Sequence, residues 1–305
     1  MLWRTRFAPA PTGYLHLGHV VNAIHVWGIA HAFGGEVQLR IEDHDRTRCR
    51  EEYEDALLDD LDWLGFVPDI GSTDRFRAAR PGRAHSPRHP QRQSDNDARY
   101  ATALALLTER DCTYVCTCTR RDIARHVPCG SGEEPRYPGT CRDARHADSA
   151  SLARRVRMAE GVVPFDDRRY GPMQQSPAEQ CGDVLVRDRH GHWTYQFAVV
   201  VDDMAHDIDV VIRGEDLLAS TGRQLRLAEL LGRKRPLAWW HHPLLVHPDG
   251  RKLSKANHDT SIREQRAAGA HAAAVLGEAA FLSGLLPAAR DLTIDELPAL
   301  FRERV

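Results

Sequence analysis

The sequence predicts an α/β protein built on a doubly wound parallel sheet. Strand and helix signals alternate at the start of the chain: an apolar strand over residues 3–8, a helix from about Gly18, a buried strand over residues 36–41 and an amphipathic helix over residues 51–64. This order favours right-handed crossovers between parallel strands. Because ligands of such sheets bind outside the carboxyl ends of the strands, polar groups at those ends are the first candidates for a site.

The rest of the chain divides by composition. After a helix predicted over residues 97–110, the sequence up to residue 181 is irregular and rich in Arg, Pro and Gly, which is typical of an insertion. A hairpin signal over residues 184–195 and two apolar strands, ending at Val201 and Ile212, indicate that the sheet resumes. Ala-rich helices follow over residues 261–286. We therefore predict a sheet core of residues 1–95 and 182–260, an inserted subdomain of residues 96–181, and a C-terminal helical segment of residues 261–305.

Composition and charge restrict the class of protein. The chain has 305 residues, of which 42% are hydrophobic and 28% charged, as in an ordinary globular enzyme. No apolar run reaches the roughly 20 residues of a membrane span, and no signal peptide precedes Arg4, so we expect a cytoplasmic protein without membrane contact. The net charge of −2 gives no overall attraction to nucleic acid. The acid-free, arginine-rich residues 75–92 are either a solvated loop or a local RNA-binding patch.

The first candidate site follows the first strand. Residues 6–19 read RFAPAPTGYLHLGH, which combines a strand, a turn with Pro and Gly, and a helix start that carries His16 and His19 around Gly18. Backbone N–H groups without partners at a helix N-terminus, together with two imidazoles, form a suitable seat for a polyphosphate. A pair of helix-capping histidines is the plainer interpretation of the same residues.

A second string, KLSK, begins at Lys252 and ends at Lys255, directly after an apolar strand and a turn. The two strings together resemble the two signature motifs of class I aminoacyl-tRNA synthetases, and the first resembles the subgroup that activates glutamate or glutamine. The resemblance implies a ligase that uses ATP with Mg²⁺ to form an aminoacyl-adenylate. It assigns catalysis to His16, His19, Lys252 and Lys255, and ATP binding to Gly18, His16, His19 and Lys255.

The resemblance also implies a site for L-glutamate. The residues that match it are Arg6, Phe7, Ala8, Pro9, Ala10, Glu42, Tyr195 and Arg213. Two arginines offer a fork for each of the two carboxylates, and Glu42 offers an anion for the ammonium group. A structural ion pair between Glu42 and Arg213 is the alternative. Ala10 departs from the family, which often has Ser there, so only a backbone contact is expected at that residue.

The cysteines indicate a metal site. There are seven, an odd number, and four of them fall between residues 112 and 129, which argues against a disulfide framework and for reduced thiols. The pattern C-x-C followed by Y-x-x-x-C resembles the zinc site of glutamyl synthetases. It implies one structural Zn²⁺ per chain, with the ligands Cys116, Cys118, Tyr137 and Cys141. Cys129 or His126 could replace Tyr137 as the fourth ligand.

The short sequence after the second string limits which acceptor we expect for the activated amino acid. Only 50 residues follow Lys255 (305 − 255), whereas a separate anticodon-reading domain typically needs roughly 100. The chain therefore most resembles the glutamyl-Q tRNA(Asp) synthetases, which are stand-alone catalytic cores. This resemblance implies a monomer that activates glutamate without tRNA and attaches it to queuosine at the wobble position of tRNA(Asp). Three alternatives remain: a truncated synthetase that charges a tRNA 3′ end, an adenylate-forming ligase with a different acceptor, and a non-catalytic RNA-binding paralogue.

Overall fold

The computed structural model describes residues 2–79, 88–126, 135–149, 151–245 and 260–302. The chain forms two compact units: the first unit contains residues 1–95, 208–217 and 237–305, and the second contains residues 96–207 and 218–236. Residues 182–207 thus group with the predicted insertion, and the C-terminal helices group with the N-terminal strands. Compactness by itself does not define a domain, so the predicted domain bounds stay a prediction.

The N-terminal part of the first unit alternates strands and helices as the periodicity predicts. Its elements are β1 (Trp3–Phe7), α1 (Leu17–Ala32), β2 (Gly35–Leu39), α2 (Glu51–Leu64) and α3 (Thr73–Ala78). β1 and β2 pair in parallel. The apolar face predicted for α2 is confirmed, since Leu57, Leu61 and Leu64 are buried. α2 ends at Gly65, which has a φ of 84° and thus the left-handed conformation that glycine adopts without strain.

The pairing of β1 with β2 continues beyond both strands. The backbone N–H of Arg40 donates to the carbonyl of Phe7 (2.9 Å), and that of Glu42 donates to the carbonyl of Pro9 (3.0 Å). The segment that leads from β1 to α1 is therefore held beside the segment that follows β2. Every candidate residue in these two segments lies at one edge of the sheet, near the carboxyl ends of the strands.

The second unit is more regular than the sequence suggested. Its first elements are α4 (Asp97–Glu109), β3 (Thr113–Cys116), α5 (Arg120–His126), β4 (Ala153–Val156), β5 (Val163–Asp167), β6 (Gly171–Gln175), α6 (Pro177–Gln180), β7 (Val184–Arg187) and α7 (Tyr195–Ala205). β3, β4 and β7 form an antiparallel sheet in the order β3–β4–β7, and β5 pairs with β6 as an antiparallel hairpin. The prediction of an irregular segment up to residue 181 is wrong. These strands have four or five residues each, and β3 and β4 depend on a distant partner, as Thr113 opposite Val156 shows, which a local pattern cannot reveal.

The strand predicted to end at Val201 is also wrong, because this residue lies in α7. Residues 197–203 are all buried, so the apolar run has no polar face that would mark a helical period. The hairpin turn is present, with an antiparallel bridge between Arg187 and Trp193. Its second arm ends there, since the helix begins at Tyr195.

The chain then completes both units. The remaining elements are β8 (Val210–Gly214), α8 (Thr221–Leu230), β9 (Ala238–His242), α9 (Ile262–Ala267), α10 (Ala272–Leu282) and α11 (Ala299–Arg302). The strand predicted to end at Ile212 is confirmed as β8, which pairs in parallel with β9. The N–H of Asp209 donates to the carbonyl of Arg4 (2.8 Å), which joins the start of β8 to β1. The Ala-rich helices are confirmed as α9 and α10, and the α/β class is confirmed.

Each unit has its own hydrophobic core. In the first unit α1 runs through the core, and residues 20–21 and 23–30 are buried between the sheet and the C-terminal helices. In the second unit the core centres on α7, with Tyr100, Val186 and Leu227 among its fully buried neighbours. Among the described residues, no helix is both long and apolar enough to cross a membrane.

Two residues of the arginine-rich stretch 75–92 are built into the first unit. Arg77 forms ion pairs with Asp59 (2.9 Å) and Asp62 (2.6 Å) of α2. Arg92 has no exposed side-chain surface and pairs with Glu54. The interpretation of the whole stretch as a solvated loop or an RNA-binding patch is therefore wrong for these two residues, while Arg80 and Arg83 lie outside the described residues.

The contact between α1 and α11 can be tested at Gly28. A Cβ atom at this residue would lie 2.2 Å from Cε2 of Phe301. We expect Gly28→Ala to displace the ring and to lower the free energy of unfolding by about 1–3 kcal/mol, measured by urea denaturation. In a Phe301→Ala background the same substitution should be neutral or stabilising by up to about 1 kcal/mol, because the ring is absent and Ala favours the helix. An equal loss in both backgrounds would contradict this contact.

Candidate active site

The two histidines of the first string cap helix α1. Nδ1 of His16 accepts the backbone N–H of Gly18 (3.1 Å), and Nδ1 of His19 accepts the backbone N–H of His16 (3.2 Å). The ring centres are 4.0 Å apart. Since both Nδ1 atoms accept, we assign the proton of each neutral imidazole to Nε2. The capping interpretation is thus correct, and it is compatible with phosphate binding because the cap orients Nε2–H as a donor on each ring.

Gly18 is required by this arrangement. A Cβ atom at Gly18 would lie 3.0 Å from Cε1 and 3.1 Å from Nδ1 of His16, so a larger residue would push the capping ring away. The first turn of α1 carries no acidic side chain. The positive end of the helix dipole therefore stays available to an anion.

The backbone of residues 7–10 runs beside the segment that follows β2. The carbonyls of Phe7 and Pro9 accept hydrogen bonds from the segment after β2, and the carbonyl of Ala10 accepts the N–H of Thr12 (2.8 Å). Backbone groups of successive strand residues point to opposite edges, so those of Ala8 point away from β2. Ala8 and Ala10 are half-buried, and Phe7 and Pro9 are buried.

Three charged candidates lie in the first unit at the carboxyl ends of strands. Arg6, Glu42 and Arg213 are buried, with 4%, 6% and 3% of their surface exposed. Nη1 of Arg6 donates to the carbonyl of Ile212 (3.4 Å), the residue before Arg213, so the fold brings the two arginines together. Tyr195 belongs to the second unit, where it is the first residue of α7 and is half-buried.

Arg40, the partner of Glu42, was not among the predicted site residues. Oε1 of Glu42 accepts a hydrogen bond from Nη2 of Arg40 (2.8 Å), and Arg40 is completely buried. The two residues are two apart in an extended segment, so they lie on the same face. That spacing was a signal available in the sequence, because a buried carboxylate needs a nearby cation.

Arg213 has further neighbours on β9 and in the segment after β8, and none of them was a predicted site residue. Its Nε donates to Nε2 of His241 (3.0 Å), its Nη2 donates to the carbonyl of Leu217 (3.1 Å), and its guanidinium lies 4.8 Å from the ring centre of Trp239. Arg213 and His241 are register partners in the parallel pair β8–β9. These contacts fix the plane of the guanidinium.

The next residue on β9, His242, points to α1. Its ring stacks on that of His25 at 4.5 Å, and its Nε2 lies 3.0 Å from Oδ1 of Asn22. Its Nδ1 lies 2.9 Å from the carbonyl of Pro243. Burial lowers the pKa of His242 to about 4. The ring is therefore neutral at neutral pH and ties β9 to the helix that carries the first string.

Lys252 and Lys255 lie outside the described residues, as do all residues from 246 to 259. The segment that follows them is attached to the first string. The N–H of Ile262 donates to the carbonyl of Leu15 (2.8 Å), and Nη1 of Arg263 lies 3.4 Å from the hydroxyl of Tyr14. The start of α9 is thus held beside the turn that precedes α1.

Three predicted metal ligands and Tyr137 meet in the second unit. The sulfur atoms of Cys116, Cys118 and Cys141 lie within 4.8 Å of one another, and Cys118 and Cys141 are 3.5 Å apart. The hydroxyl of Tyr137 lies 3.5 Å from Sγ of Cys116 and 3.9 Å from Sγ of Cys118. A tetrahedral Zn²⁺ with ordinary bond lengths needs about 3.8 Å between sulfurs and about 3.5 Å between sulfur and oxygen. The four donors fit that ion.

The surroundings of these thiols differ. Burial raises the pKa of Cys141, but hydrogen bonds from Thr117 outweigh it and lower the pKa to about 6. Burial raises the pKa of Cys118 to about 11. The alternative fourth ligands, Cys129 and the side chain of His126, lie outside the part of the chain that the structure describes.

Comparison with known proteins gives a consistent result. The family described as "tRNA synthetases class I (E and Q), catalytic domain" matches residues 3–289. The glutamyl-Q tRNA(Asp) synthetase of Nitratidesulfovibrio vulgaris is 39% identical over 298 residues, which cover 93% of this chain and 87% of the relative. That of Symbiobacterium thermophilum is 37% identical over 97% of this chain and 91% of the relative. Among solved structures, a glutamate–tRNA synthetase from Elizabethkingia anophelis superimposes with a TM-score of 0.77 at 25% identity; the match covers 98% of this chain but just 65% of that protein.

The buried His242 makes the stability of the fold depend on pH. Its pKa is about 4 in the folded protein against an ordinary value of 6.5, so between these values only the unfolded chain gains the proton. The contribution is complete above pH 6.5 and is lost as the pH falls towards 4, up to about 3 kcal/mol. Urea denaturation between pH 7 and pH 4 should show a flatter profile for His242→Leu than for the wild type. Exposed His271→Gln should keep the wild-type profile, and a His242→Leu profile parallel to the wild type would contradict the assignment.

Proposed function

Because the chain belongs to the class I tRNA synthetase family for glutamate and glutamine, we propose that it activates L-glutamate with ATP and attaches it to queuosine at the wobble position of tRNA(Asp). The observation that supports glutamate as the substrate is a pair of buried arginines: Arg6, which donates to the carbonyl of Ile212, and Arg213, the next residue along β8. The assignment of queuosine in tRNA(Asp) as the acceptor is supported by the relatives, which are named glutamyl-Q tRNA(Asp) synthetases. The protein would be a cytoplasmic monomer with a Rossmann-like core and an insertion that carries zinc.

In the first step an oxygen of the glutamate α-carboxylate attacks the α-phosphorus of ATP. A new carbon–oxygen–phosphorus link forms and pyrophosphate leaves, which gives glutamyl-adenylate. The Nε2–H groups of His16 and His19 would donate to the phosphate oxygens at the positive end of the α1 dipole, and Gly18 lets the nucleotide approach the backbone. Lys252 and Lys255 would neutralise the charge of the leaving pyrophosphate, and Mg²⁺ accompanies ATP. No protein nucleophile is needed.

Glutamate would lie across the carboxyl ends of β1, β2 and β8. Arg6 and Arg213 would each bind one carboxylate, because a planar guanidinium matches a carboxylate with two parallel hydrogen bonds. Glu42, held by Arg40, would bind the ammonium group. The backbone of residues 7–10 would complete the part of the pocket that the first unit forms. Glutamine would lose one charge-assisted contact, so the pair of arginines favours glutamate.

In the second step a hydroxyl on the cyclopentene ring of queuosine attacks the acyl carbon of the adenylate. An ester forms and AMP leaves. Exposed, unpaired bases of an anticodon loop are the usual targets of sequence-specific RNA recognition. The residues Cys116, Cys118, Tyr137 and Cys141 would hold one Zn²⁺ per chain, which when bound supplies a structural cross-link between β3 and the segment around residue 140.

The acceptor is tested with tRNA(Asp) that either contains or lacks queuosine. We expect radiolabelled glutamate to be transferred, in the presence of ATP, only to the tRNA that contains queuosine, and the label to remain with the anticodon stem-loop after nuclease fragmentation. Unmodified tRNA(Glu) serves as the control for ordinary charging. Equal labelling of both forms of tRNA(Asp), or label at a 3′ end, would contradict the proposal and favour a truncated glutamyl-tRNA synthetase.

The amino-acid site is tested by ATP–pyrophosphate exchange without tRNA. Arg213→Gln should raise the KM for glutamate by about 10–100-fold and leave the KM for ATP nearly unchanged, because one charge-assisted contact to a carboxylate is lost. Arg290→Gln changes an exposed arginine of the same unit and should behave as the wild type. If the variant at residue 213 loses its affinity for ATP and glutamate to the same extent, Arg213 is not a glutamate ligand.

A further inference from the structure

Arg155 of β4 contacts two of the four proposed metal ligands. Its Nε lies 3.4 Å from Sγ of Cys116, and its guanidinium carbon lies 3.7 Å from the ring centre of Tyr137. The residue is buried, with 7% of its surface exposed. None of the motifs in the sequence singles it out, because it is 14 residues beyond the last proposed ligand, Cys141.

The position of Arg155 is fixed from its other side. Its Nη1 donates to the carbonyl of Asp183 (2.7 Å), and the side chain of Asp183 accepts the hydroxyl of Tyr114 (2.6 Å) and the N–H of Met158 (2.8 Å). The segment before Asp183 also holds the tyrosine, since the N–H of Tyr137 donates to the carbonyl of Cys181 (2.9 Å).

The segment of residues 181–183 packs tightly against the backbone of Tyr137. Gly182 has a φ of 67°, and a Cβ atom there would lie 2.2 Å from the carbonyl oxygen of Tyr137. One short stretch, residues 181–183, therefore positions both the tyrosine and the arginine that covers its ring. A fixed arrangement of this kind is what a metal site needs, because ligands orient well only when groups around them are also held.

The negative charge of the ligand set explains why a buried arginine would lie beside it. Three thiolates, one phenolate and Zn²⁺ together carry two more negative than positive charges, in a place from which water is largely excluded. A guanidinium keeps its proton under all ordinary conditions, donates to sulfur from its edge, and is attracted to the face of an aromatic ring. Arg155 does both at once and against two different ligands.

We propose that Arg155 is a positioning residue of the zinc site: it compensates the negative charge of the ligand set and holds Cys116 and Tyr137 in place as donors. The proposal rests on the zinc site of the proposed function. It selects Tyr137 as the fourth ligand, because the guanidinium covers the ring of this residue. Lysine at position 155 would keep the charge but would lose the planar stack and the fixed fork.

The test measures zinc affinity by competition with a chromophoric chelator, on the full chain. We expect Arg155→Gln to weaken zinc binding by about 10–100-fold, as is usual for the loss of a group that supports metal ligands, and Arg155→Lys to lie between this variant and the wild type. Arg154→Gln is the matched control, because Arg154 is the neighbouring arginine of β4 and pairs with Asp148, and this variant should bind zinc as the wild type does. Circular dichroism of the zinc-loaded proteins identifies any variant that fails to fold.

A double-mutant cycle separates positioning from general stability. In a Tyr137→Phe background Arg155→Gln should cost clearly less affinity than in the wild type, because the oxygen donor whose ring the arginine holds is absent. Cobalt-substituted Arg155→Gln should show altered d–d absorption bands, since the donor geometry changes. An affinity within twofold of the wild type, or an equal cost in both backgrounds, would overturn the role of Arg155. A wild-type protein that binds no zinc would overturn the zinc site itself, which is a distinguishable result.

If Arg155→Gln does not fold, Arg155→Lys decides the question. This variant keeps the buried charge, so weaker zinc binding with a normal fold would support the proposal. Zinc affinity and cobalt bands identical to those of the wild type would overturn it.

Discussion

The parallel pairing of β1 with β2, and its continuation past Phe7, is the constraint on which the candidate site depends. Two backbone hydrogen bonds, from Arg40 to Phe7 and from Glu42 to Pro9, hold the segment before α1 beside the segment after β2. This brings the helix start with its capping histidines and the carboxylate of Glu42 to the same edge of the sheet. A slip of one residue would turn Glu42 to the opposite face, because side chains alternate along a strand.

Buried charge marks the candidate site of the first unit. Removing an ion from water is costly unless it is paired, and the fold nevertheless buries Arg6, Arg40, Glu42 and Arg213 at the ends of neighbouring strands. In the proposed function, a dipolar amino acid with a second carboxylate would supply the complementary charges. In the second unit the signs would be reversed, since Arg155 lies against Cys116 and Tyr137, which would belong to a negatively charged donor set in the proposed zinc site.

Predictions from the sequence were correct where the stabilising interactions are local and wrong where they join distant parts of the chain. β1, α1, β2 and α2 were predictable because their periodicity is local and their ends carry turn and cap signals. The strands β3 and β4 were not, since each is stabilised by a partner about 40 residues away (Thr113 opposite Val156). The helix α7 was mistaken for a strand because it is buried on all sides and has no polar face. Arg77 and Arg92 looked like solvated charges until their partners on α2 were in place.

The sequence by itself determined which chemical groups the protein has and the local geometry around each of them. The glycine between two histidines, the paired cysteines and the arginines near strand ends are readable because adjacent residues are close in space whatever the fold. Only the tertiary structure decided which groups meet. The contacts of Arg213 with His241, and of Arg155 with Cys116 and Tyr137, depend on strand register and on the direction of each side chain, and these are set by packing between distant parts of the chain.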